Sequence, residues 1–274
     1  MITVGKINIG GGSPLVLIAG PCVVEGREMI LRTAEEILAI TKKHKLPFIF
    51  KASYKKANRT SGESFTGLDM DEALKILAEV RKELGVPVLT DVHSELEASP
   101  VAEVVDVLQV PAFLCRQTEL LRAVGRAGKP VNIKKGQFMA PQDMDYQAKK
   151  VSATGNTDIM LTERGATFGY HNLVVDMRSL PIMRAMGYPV ILDASHSVQL
   201  PGGGKNHSAG EPEFIFPLAR AGTAVGIDGL FVETHPDPSR ALSDAASQLK
   251  LGLLEELVKQ VTMIDHYVKD KLAI

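Results

Sequence analysis

Cysteine is scarce in this chain, with two residues in 274. Two cysteines cannot build the disulfide framework of a small secreted protein, so this usage predicts a reducing, cytoplasmic compartment. Long apolar runs are also missing, because none approaches the roughly 20 residues that a membrane-spanning helix needs. The segment MITVGKINIGGG at the amino terminus is unlike a signal peptide, since its apolar positions alternate and glycines interrupt them. We therefore expect no membrane partner.

A charge excess of one sign is absent as well. The formal net charge is -1, so no overall field attracts nucleic acid or an anionic membrane, and neither is an expected partner. The composition, 45% hydrophobic and 23% charged, is that of a globular protein with a sizeable core. No low-complexity linker divides the chain, which predicts a single domain over residues 1–274.

One unit recurs along the sequence: a short apolar run, a polar tip, and a segment with helical spacing of its apolar residues. The runs predict strands at 15–19, 48–50, 87–91, 107–111, 131–134, 159–162, 189–193 and 229–232. The segments with helical spacing predict helices at about 27–44, 69–84, 95–104, 141–154, 179–186 and 247–271, and a further helix that ends at about 127. Eight such units in this length favour a (β/α)8 TIM barrel, in the α/β class.

An open, doubly wound sheet is the competing fold. The barrel is favoured because polar residues follow every apolar run, and only in a barrel do all the carboxyl ends of the strands meet at one mouth. Before the first unit, residues 1–12 predict a short β-hairpin around Gly5. The glycine-rich loop at 200–212 is placed to act as a lid.

The segment FKASYKKANRTSGESF at 50–65 is the strongest candidate for a binding loop. Its cations and hydrogen-bonding side chains are Lys51, Ser53, Lys55, Lys56, Asn58, Arg59, Thr60 and Ser61. Arginine offers a planar fork, lysine a point charge and the hydroxyls short hydrogen bonds, a combination that suits phosphate. A solvated basic loop that binds nothing is the alternative.

Other charged residues follow the predicted strands. The cations are Lys51, Lys56, Arg59, Lys134 and Arg164; the anions are Asp91, Glu163, Asp193, Glu233 and Asp244. So many cations in one mouth indicate a multiply charged substrate or two phosphorylated substrates bound together. Ion pairing within the protein could absorb part of this charge, and Glu163 beside Arg164 is the obvious pair.

A second set of residues combines a thiol, an imidazole and two carboxylates: Cys22, His196, Glu233 and Asp244. These groups suit a divalent Fe, Mn, Co or Zn ion. No pair of them has the spacing of a metal motif. Two alternatives therefore stay open: Cys22 is a small buried residue, and His196 is a hydrogen-bonding residue. Cys115 has no partner in this picture and is expected in the core.

Several segments together resemble the 3-deoxy-D-manno-octulosonate 8-phosphate synthase family from end to end. They are AGPC at 19–22, FKASYKKANRTS at 50–61, TDVH at 90–93, QVPAFLCRQT at 109–118, NIKKGQF at 132–138, TERGATFGYHNLVVDMRSLPIM at 162–183, DASHSVQLPGG at 193–203, FVETHPDP at 231–238 and ALSDAASQL at 241–249. The KANR segment separates this family from the 3-deoxy-heptulosonate 7-phosphate synthases, which resemble KPRTS there.

The resemblance implies a reaction: phosphoenolpyruvate, D-arabinose 5-phosphate and water give 3-deoxy-D-manno-octulosonate 8-phosphate and inorganic phosphate. It also implies a role in making the inner core of lipopolysaccharide, a homotetramer, and an N-terminal hairpin that closes the bottom of the barrel. Two rival functions stay open. One is a 3-deoxy-heptulosonate 7-phosphate synthase that uses erythrose 4-phosphate; the other is a non-catalytic barrel that binds sugar phosphates.

Site roles follow from the same resemblance. Phosphoenolpyruvate would be surrounded by Lys51, Lys56, Gln109, Lys134 and Arg164. The sugar phosphate would be bound by Asn58, Arg59, Thr60, Ser61 and Asp91, with Ser53 a further substrate-binding candidate. Arg59 would reach a neighbouring subunit's site, and Thr60 stands where the family usually has serine.

The catalytic candidates are His196, Asp244, Lys56 and Asn58, of which His196 and Asp244 would move protons. Family members that carry asparagine in place of Cys22 need no metal. Those that resemble this chain, with Cys22, His196, Glu233 and Asp244, use a divalent metal ion.

Overall fold

The computed structural model describes residues 1–57, 65–203 and 209–272. Its strands are β1 (Ile2–Val4), β2 (Ile7–Ile9), β3 (Val16–Gly20), β4 (Phe48–Lys51), β5 (Val88–Asp91), β6 (Val107–Val110), β7 (Val131–Lys134), β8 (Ile159–Glu163), β9 (Ala166–Thr167), β10 (Leu173–Val174), β11 (Val190–Asp193), β12 (Gln199–Leu200), β13 (Ala209–Gly210), β14 (Gly229–His235) and β15 (Leu249–Lys250). Its helices are α1 (Arg27–Lys43), α2 (Met70–Leu84), α3 (Ala98–Val104), α4 (Thr118–Arg126), α5 (Met144–Ser152), α6 (Ser179–Arg184), α7 (Ile215–Val225) and α8 (Leu254–Lys271). In these ranges no helix combines the length and the apolar character needed to cross a bilayer.

Within the described residues, eight parallel strands form a closed ring. They pair in the order β3, β4, β5, β6, β7, β8, β11 and β14. The last strand also pairs with the first, with Phe231 opposite Ile18, so the ring has no free edge. This closure confirms the (β/α)8 barrel and excludes the open sheet.

The sequences of the barrel strands are unbroken apolar runs because both faces of each strand are buried. In β3, Leu17 and Ala19 belong to the larger apolar cluster, which includes residues of the surrounding helices. Val16 and Ile18 point the other way and belong to a smaller cluster of strand residues that includes Phe231. Alternation along each strand therefore separates an outer core from an inner one.

The N-terminal hairpin lies at the amino-terminal end of the barrel. Ile2, Val4 and Ile9, from β1 and β2, are buried in the inner cluster with the strand residues. Gly10 lies against Pro189, the residue before β11, and a Cβ on Gly10 would come within 3.0 Å of the proline Cγ. The prediction that this hairpin closes the bottom of the barrel is confirmed.

The end of the last strand differs from the prediction. β14 continues to His235, and residues 249–250 pair beside it as β15, with Leu249 opposite Thr234. The Thr234 hydroxyl also donates to the Leu249 carbonyl at 2.9 Å. Because these residues are held in a sheet, the last helix begins at Leu254 and not at 247. Residues 243–248 are thereby kept beside the mouth.

Ile9→Ala should lower the free energy of unfolding by about 3 kcal/mol, because Ile9 is fully buried and truncation leaves a cavity between the hairpin and the strands. Denaturant unfolding monitored by circular dichroism measures this loss. Leu96→Ala, at a side chain that is 90% exposed, is the control and should have a much smaller effect. Equal effects of the two substitutions would contradict the role of the hairpin in closing the bottom of the barrel.

Candidate active site

A cavity of about 580 Å3 opens at the carboxyl ends of the barrel strands. Its walls contain most of the predicted site residues: Lys51, Lys56, Asp91, Gln109, Lys134, Arg164, His196 and Asp244. Residues that are more than 190 positions apart in sequence therefore face the same space. Cavities of this size accommodate small organic substrates.

Two lysines form buried ion pairs beneath this cavity. Lys51 pairs with Glu233, and Lys134 pairs with Asp193. The ammonium groups of Lys51 and Lys134 lie 5.4 and 4.0 Å from the centre of the Phe231 ring. Each carboxylate offsets the cost of burying a cation, and the aromatic ring below adds a further favourable contact.

The pKa values in this layer follow from burial and from these pairs. Burial lowers the pKa of Lys134, although Asp193 opposes the change. Burial alone would raise the pKa of Glu233, but His196, Lys51 and Lys56 outweigh it and the pKa is lowered. Glu233 is therefore ionised at neutral pH, and its charge is shared among several cations.

Arg164 directs its guanidinium group to the cavity. Its Nη2 donates to Gln199 Oε1 at 2.8 Å, while Nη1 is buried and has no hydrogen-bond partner in the part of the chain that the structure describes. The Glu163 carboxylate instead accepts the backbone N–H groups of Arg164 and Gly165, at 3.0 and 2.7 Å, and lies 3.4 Å from Lys135 Nζ. Among the described residues, the expected side-chain pair of Glu163 with Arg164 does not form, which leaves the guanidinium available to a ligand.

A chain of hydrogen bonds runs across four neighbouring strands, from β8 through β7 and β6 to β5. Thr162 donates to Asn132 Oδ1 at 2.6 Å, and Asn132 donates to Gln109 Oε1 at 2.8 Å. Gln109 Nε2 then donates to Asp91 Oδ1, and Ser53 donates to Asp91 Oδ2. Each donor fixes the orientation of the next group, so Asp91 is held in one position at the end of the chain.

Three of the four predicted metal ligands converge. Single ligand atoms of Cys22, Glu233 and Asp244 all lie within 4.8 Å of one another. The fourth, His196, lies beside this group, with Nε2 3.6 Å from Glu233 Oε1 and 4.0 Å from Asp244 Oδ2. Within residues 1–57, 65–203 and 209–272, Glu233 Oε2 is buried without a hydrogen-bond partner, as expected for an atom that binds a ligand.

The thiol of this cluster is protonated in the absence of a cation. Burial, Asp244 and Glu233 raise the pKa of Cys22 well above its ordinary value, and its Sγ donates to Asp244 Oδ2 at 3.2 Å. A divalent ion reverses this effect, because it favours the thiolate and the carboxylates together. Asp244 also has a φ of 49°, a strained conformation of the kind that clusters at ligand sites. The residues present therefore fit a divalent metal.

His196 has one ring nitrogen committed within the protein. Its Nδ1 lies 2.7 Å from Asp193 Oδ2, and its backbone N–H donates to Asp193 Oδ1 at 2.8 Å. Burial lowers the pKa of His196, although Asp193 and Glu233 oppose the change, so the ring is neutral near pH 7. With its proton on Nδ1, Nε2 keeps a free lone pair that faces Glu233 and Asp244.

Some predictions lie outside the described residues, namely those for Asn58, Arg59, Thr60 and Ser61 and for the 204–208 part of the glycine-rich loop. Sequence reasoning also missed contributors to the site, because neutral side chains carry little signal. Gln199, Asn132 and Thr162 are ordinary polar residues within apolar surroundings, and only their contacts reveal a role. Asp193 was noted at a strand end, but its contacts with Lys134 and His196 were not expected.

Comparison with known proteins agrees with this geometry. The model of the DAHP synthetase I family matches residues 1–270. The chain belongs to this family. A protein from Acidithiobacillus ferrooxidans named 2-dehydro-3-deoxyphosphooctonate aldolase is 58% identical over 258 residues, which are 94% of this chain and 92% of that protein.

Two further relatives bear the same name. The protein from Trichlorobacter lovleyi is 54% identical and that from Geotalea uraniireducens is 56% identical, each over 268 residues that are 98% of both chains. That name denotes the 3-deoxy-D-manno-octulosonate 8-phosphate synthase, so the family resemblance found in the sequence motifs is confirmed.

Asp91→Asn should flatten the loss of stability in acid. Burial raises the pKa of Asp91, but Lys51 and Lys56 outweigh it and the folded-state pKa is lowered. The carboxylate therefore stabilises the fold above its unfolded-state pKa of about 3.9, and this stabilisation is lost as the pH falls below that value. Urea unfolding from pH 7 to pH 3 should show a shallower acid decline for the variant. Asp71→Asn, at an exposed carboxylate, is the control; parallel curves for Asp91→Asn and the wild type would contradict the assignment.

Proposed function

We propose that this chain condenses phosphoenolpyruvate with D-arabinose 5-phosphate and water, to give 3-deoxy-D-manno-octulosonate 8-phosphate and inorganic phosphate for the inner core of lipopolysaccharide. The observation that carries the proposal is the convergence of Lys51, Lys56, Lys134 and Arg164 on one cavity that Asp91 also lines. The name of the relatives, 2-dehydro-3-deoxyphosphooctonate aldolase, refers to the eight-carbon product and supports the same reaction.

The charges of the cavity suit two anionic substrates. Both substrates carry phosphate and repel each other, and buried cations offset this repulsion more strongly than they would in water. The unpartnered Nη1 of Arg164 offers a buried donor to a phosphate or carboxylate oxygen. Asp91, which also lines the cavity, is a fixed acceptor that suits sugar hydroxyls and not a second anion.

The bond-forming step joins the methylene carbon of phosphoenolpyruvate to the aldehyde carbon of the sugar. Positive charge develops at the carbon that bears phosphate, water adds there, and the carbon–oxygen bond to phosphate breaks. Asp244 is the candidate proton acceptor, because its second carboxylate oxygen stays available when one oxygen faces the proposed ion, whereas Nε2 of His196 is needed as a ligand. Lys56, whose ammonium lies 3.8 Å from Glu233, would hold negative charge near the reacting atoms.

We also propose a divalent Fe, Zn, Mn or Co ion bound by Cys22, His196, Glu233 and Asp244. The soft thiol, the free imidazole nitrogen and the unpartnered Glu233 oxygen support this donor set. Such an ion supplies Lewis-acid polarisation or orientation of a bound oxygen. The protein's part is to hold Cys22 through its backbone N–H, which donates to Gln248 Oε1 at 3.2 Å.

A cytoplasmic homo-oligomer, with four subunits, completes the proposal. Exposed aromatic side chains on the segments after β6, β7 and β8 support a subunit interface there: Phe113, Phe138, Phe168 and Tyr170. Large exposed apolar groups clustered on one face mark association sites more often than free surface. Sedimentation equilibrium of the purified protein tests the assembly.

Mixing phosphoenolpyruvate and D-arabinose 5-phosphate with the protein should release inorganic phosphate and form the eight-carbon product. Replacing the sugar by erythrose 4-phosphate should lower kcat/KM by about 100-fold or more, because the buried polar groups of the sugar site would be left unpaired. Phosphate release and mass spectrometry of the product measure both reactions. A preference for erythrose 4-phosphate would favour the seven-carbon synthase, and binding without turnover would favour a non-catalytic barrel.

Removal of divalent metal by a chelator should abolish turnover, and added Mn, Co, Fe or Zn should restore it. Cys22→Asn should lose bound metal, because an amide cannot replace the thiolate as a soft ligand. Metal analysis beside the activity assay measures both effects. Cys115→Ala removes the other buried cysteine, which lies outside the cluster, and should retain the metal. Full activity of the wild type in excess chelator would reject the metal site.

A further inference from the structure

His93 occupies the cavity wall beside Asp91. β5 ends at Asp91 and the next residues continue in extended alternation, so Asp91 and His93 face the cavity while Val92 packs into the outer core. The His93 side chain is 9% exposed. Its position places a second polar group next to the carboxylate that we propose to bind the sugar.

Tyr54 and Glu97 lie behind the imidazole, away from the cavity. The Tyr54 hydroxyl donates to Glu97 Oε2 at 2.7 Å, and its oxygen lies 3.4 Å from His93 Nδ1. The two rings meet edge to face, with centroids 5.6 Å apart. Glu97 Oε2 also accepts the backbone N–H groups of His93 and Ser94, each at 3.0 Å. His93 is therefore held through both its ring and its backbone.

The protons in this cluster can be counted. Tyr54 has one hydroxyl proton, and it is used in the hydrogen bond that the hydroxyl donates to the Glu97 carboxylate. The phenol oxygen then offers only lone pairs to His93, so Nδ1 must carry the proton to complete the contact. Burial lowers the pKa of His93, although Asp91 and Glu97 oppose the change, which keeps the ring neutral with a single proton. Nε2 is consequently a bare acceptor.

We propose that His93 binds the sugar substrate by accepting a hydroxyl hydrogen bond at Nε2, and that Tyr54 and Glu97 are positioning residues that hold His93 in the Nδ1–H tautomer. The ligand class rests on the proposed function, whereas the tautomer rests on the contacts alone. A neutral acceptor beside the acceptor Asp91 selects donors, so this corner of the cavity takes hydroxyl groups and not phosphate. Phosphate is instead expected at Arg164 and Lys134.

The tautomer can be measured without any substrate. Solid-state nitrogen-15 NMR of protein labelled at histidine, with His93→Asn to assign the signal, should show protonated Nδ1 and unprotonated Nε2 in the wild type. Glu97→Gln should shift the population toward the Nε2–H form, because an amide N–H can bond the phenol oxygen and release the Tyr54 proton to Nδ1. A wild-type ring protonated at Nε2 would overturn the positioning role, even if no variant folds.

Steady-state kinetics test the binding role. Tyr54→Phe, which removes only the hydroxyl, should raise KM for D-arabinose 5-phosphate about tenfold, the value of one well-placed hydrogen bond. KM for phosphoenolpyruvate should stay within about twofold of the wild type, since that substrate does not need the acceptor. Tyr267→Phe, at a tyrosine that is 63% exposed on α8, is the matched control and should change neither constant. A general structural role would raise both KM values together, and that result would reject the proposal.

Different results would contradict the proposed reaction and the proposed role of His93. If the wild type turns over neither sugar phosphate, the proposed function is wrong, but the NMR signal still decides the tautomer. If the wild type is active and Tyr54→Phe has an unchanged KM for the sugar, His93 is not its hydroxyl acceptor.

Discussion

Burial of several cations at one end of the barrel is the condition on which the rest of the site depends. An ammonium group taken out of water is tolerated only with a carboxylate partner or a ligand. Lys51 and Lys134 each have such a partner in the layer below the cavity, Glu233 and Asp193. The cost of burial is thereby met within the protein, while the buried Arg164 keeps one nitrogen unpartnered for a substrate.

The carboxylates of this layer also connect it to the proposed metal centre. Glu233 contacts Lys51 with one oxygen and leaves the other free among the candidate ligands. Asp193 holds both Lys134 and the imidazole of His196. Since the same carboxylates touch cations and ligands, a change at one of them alters charge balance and ligand orientation together. The residues of the mouth act as one electrostatic unit.

The part of the cavity wall around Asp91 and His93 presents hydrogen-bond acceptors whose orientation is fixed by their partners. There the chain from Thr162 through Asn132 and Gln109 ends at Asp91, and Tyr54 with Glu97 ends at His93. In the first chain the donors point toward Asp91. In the second, His93 Nδ1–H donates to Tyr54 and the Tyr54 hydroxyl donates to Glu97, which leaves Nε2 as the acceptor on the wall.

The repeated strand and helix units, the hairpin and the family can be inferred from the amino-acid order alone, because apolar periodicity and long charged motifs are local properties of the chain. Lys51, Lys134 and Arg164 can be inferred in the same way, since each charge directly follows a buried strand. The folded structure was needed to show that Glu163 bonds backbone N–H groups and not the Arg164 guanidinium, that β15 delays the last helix, and that Tyr54 lies behind His93. Hydrogen-bond partners and tautomers depend on distances between distant segments, which no local pattern contains.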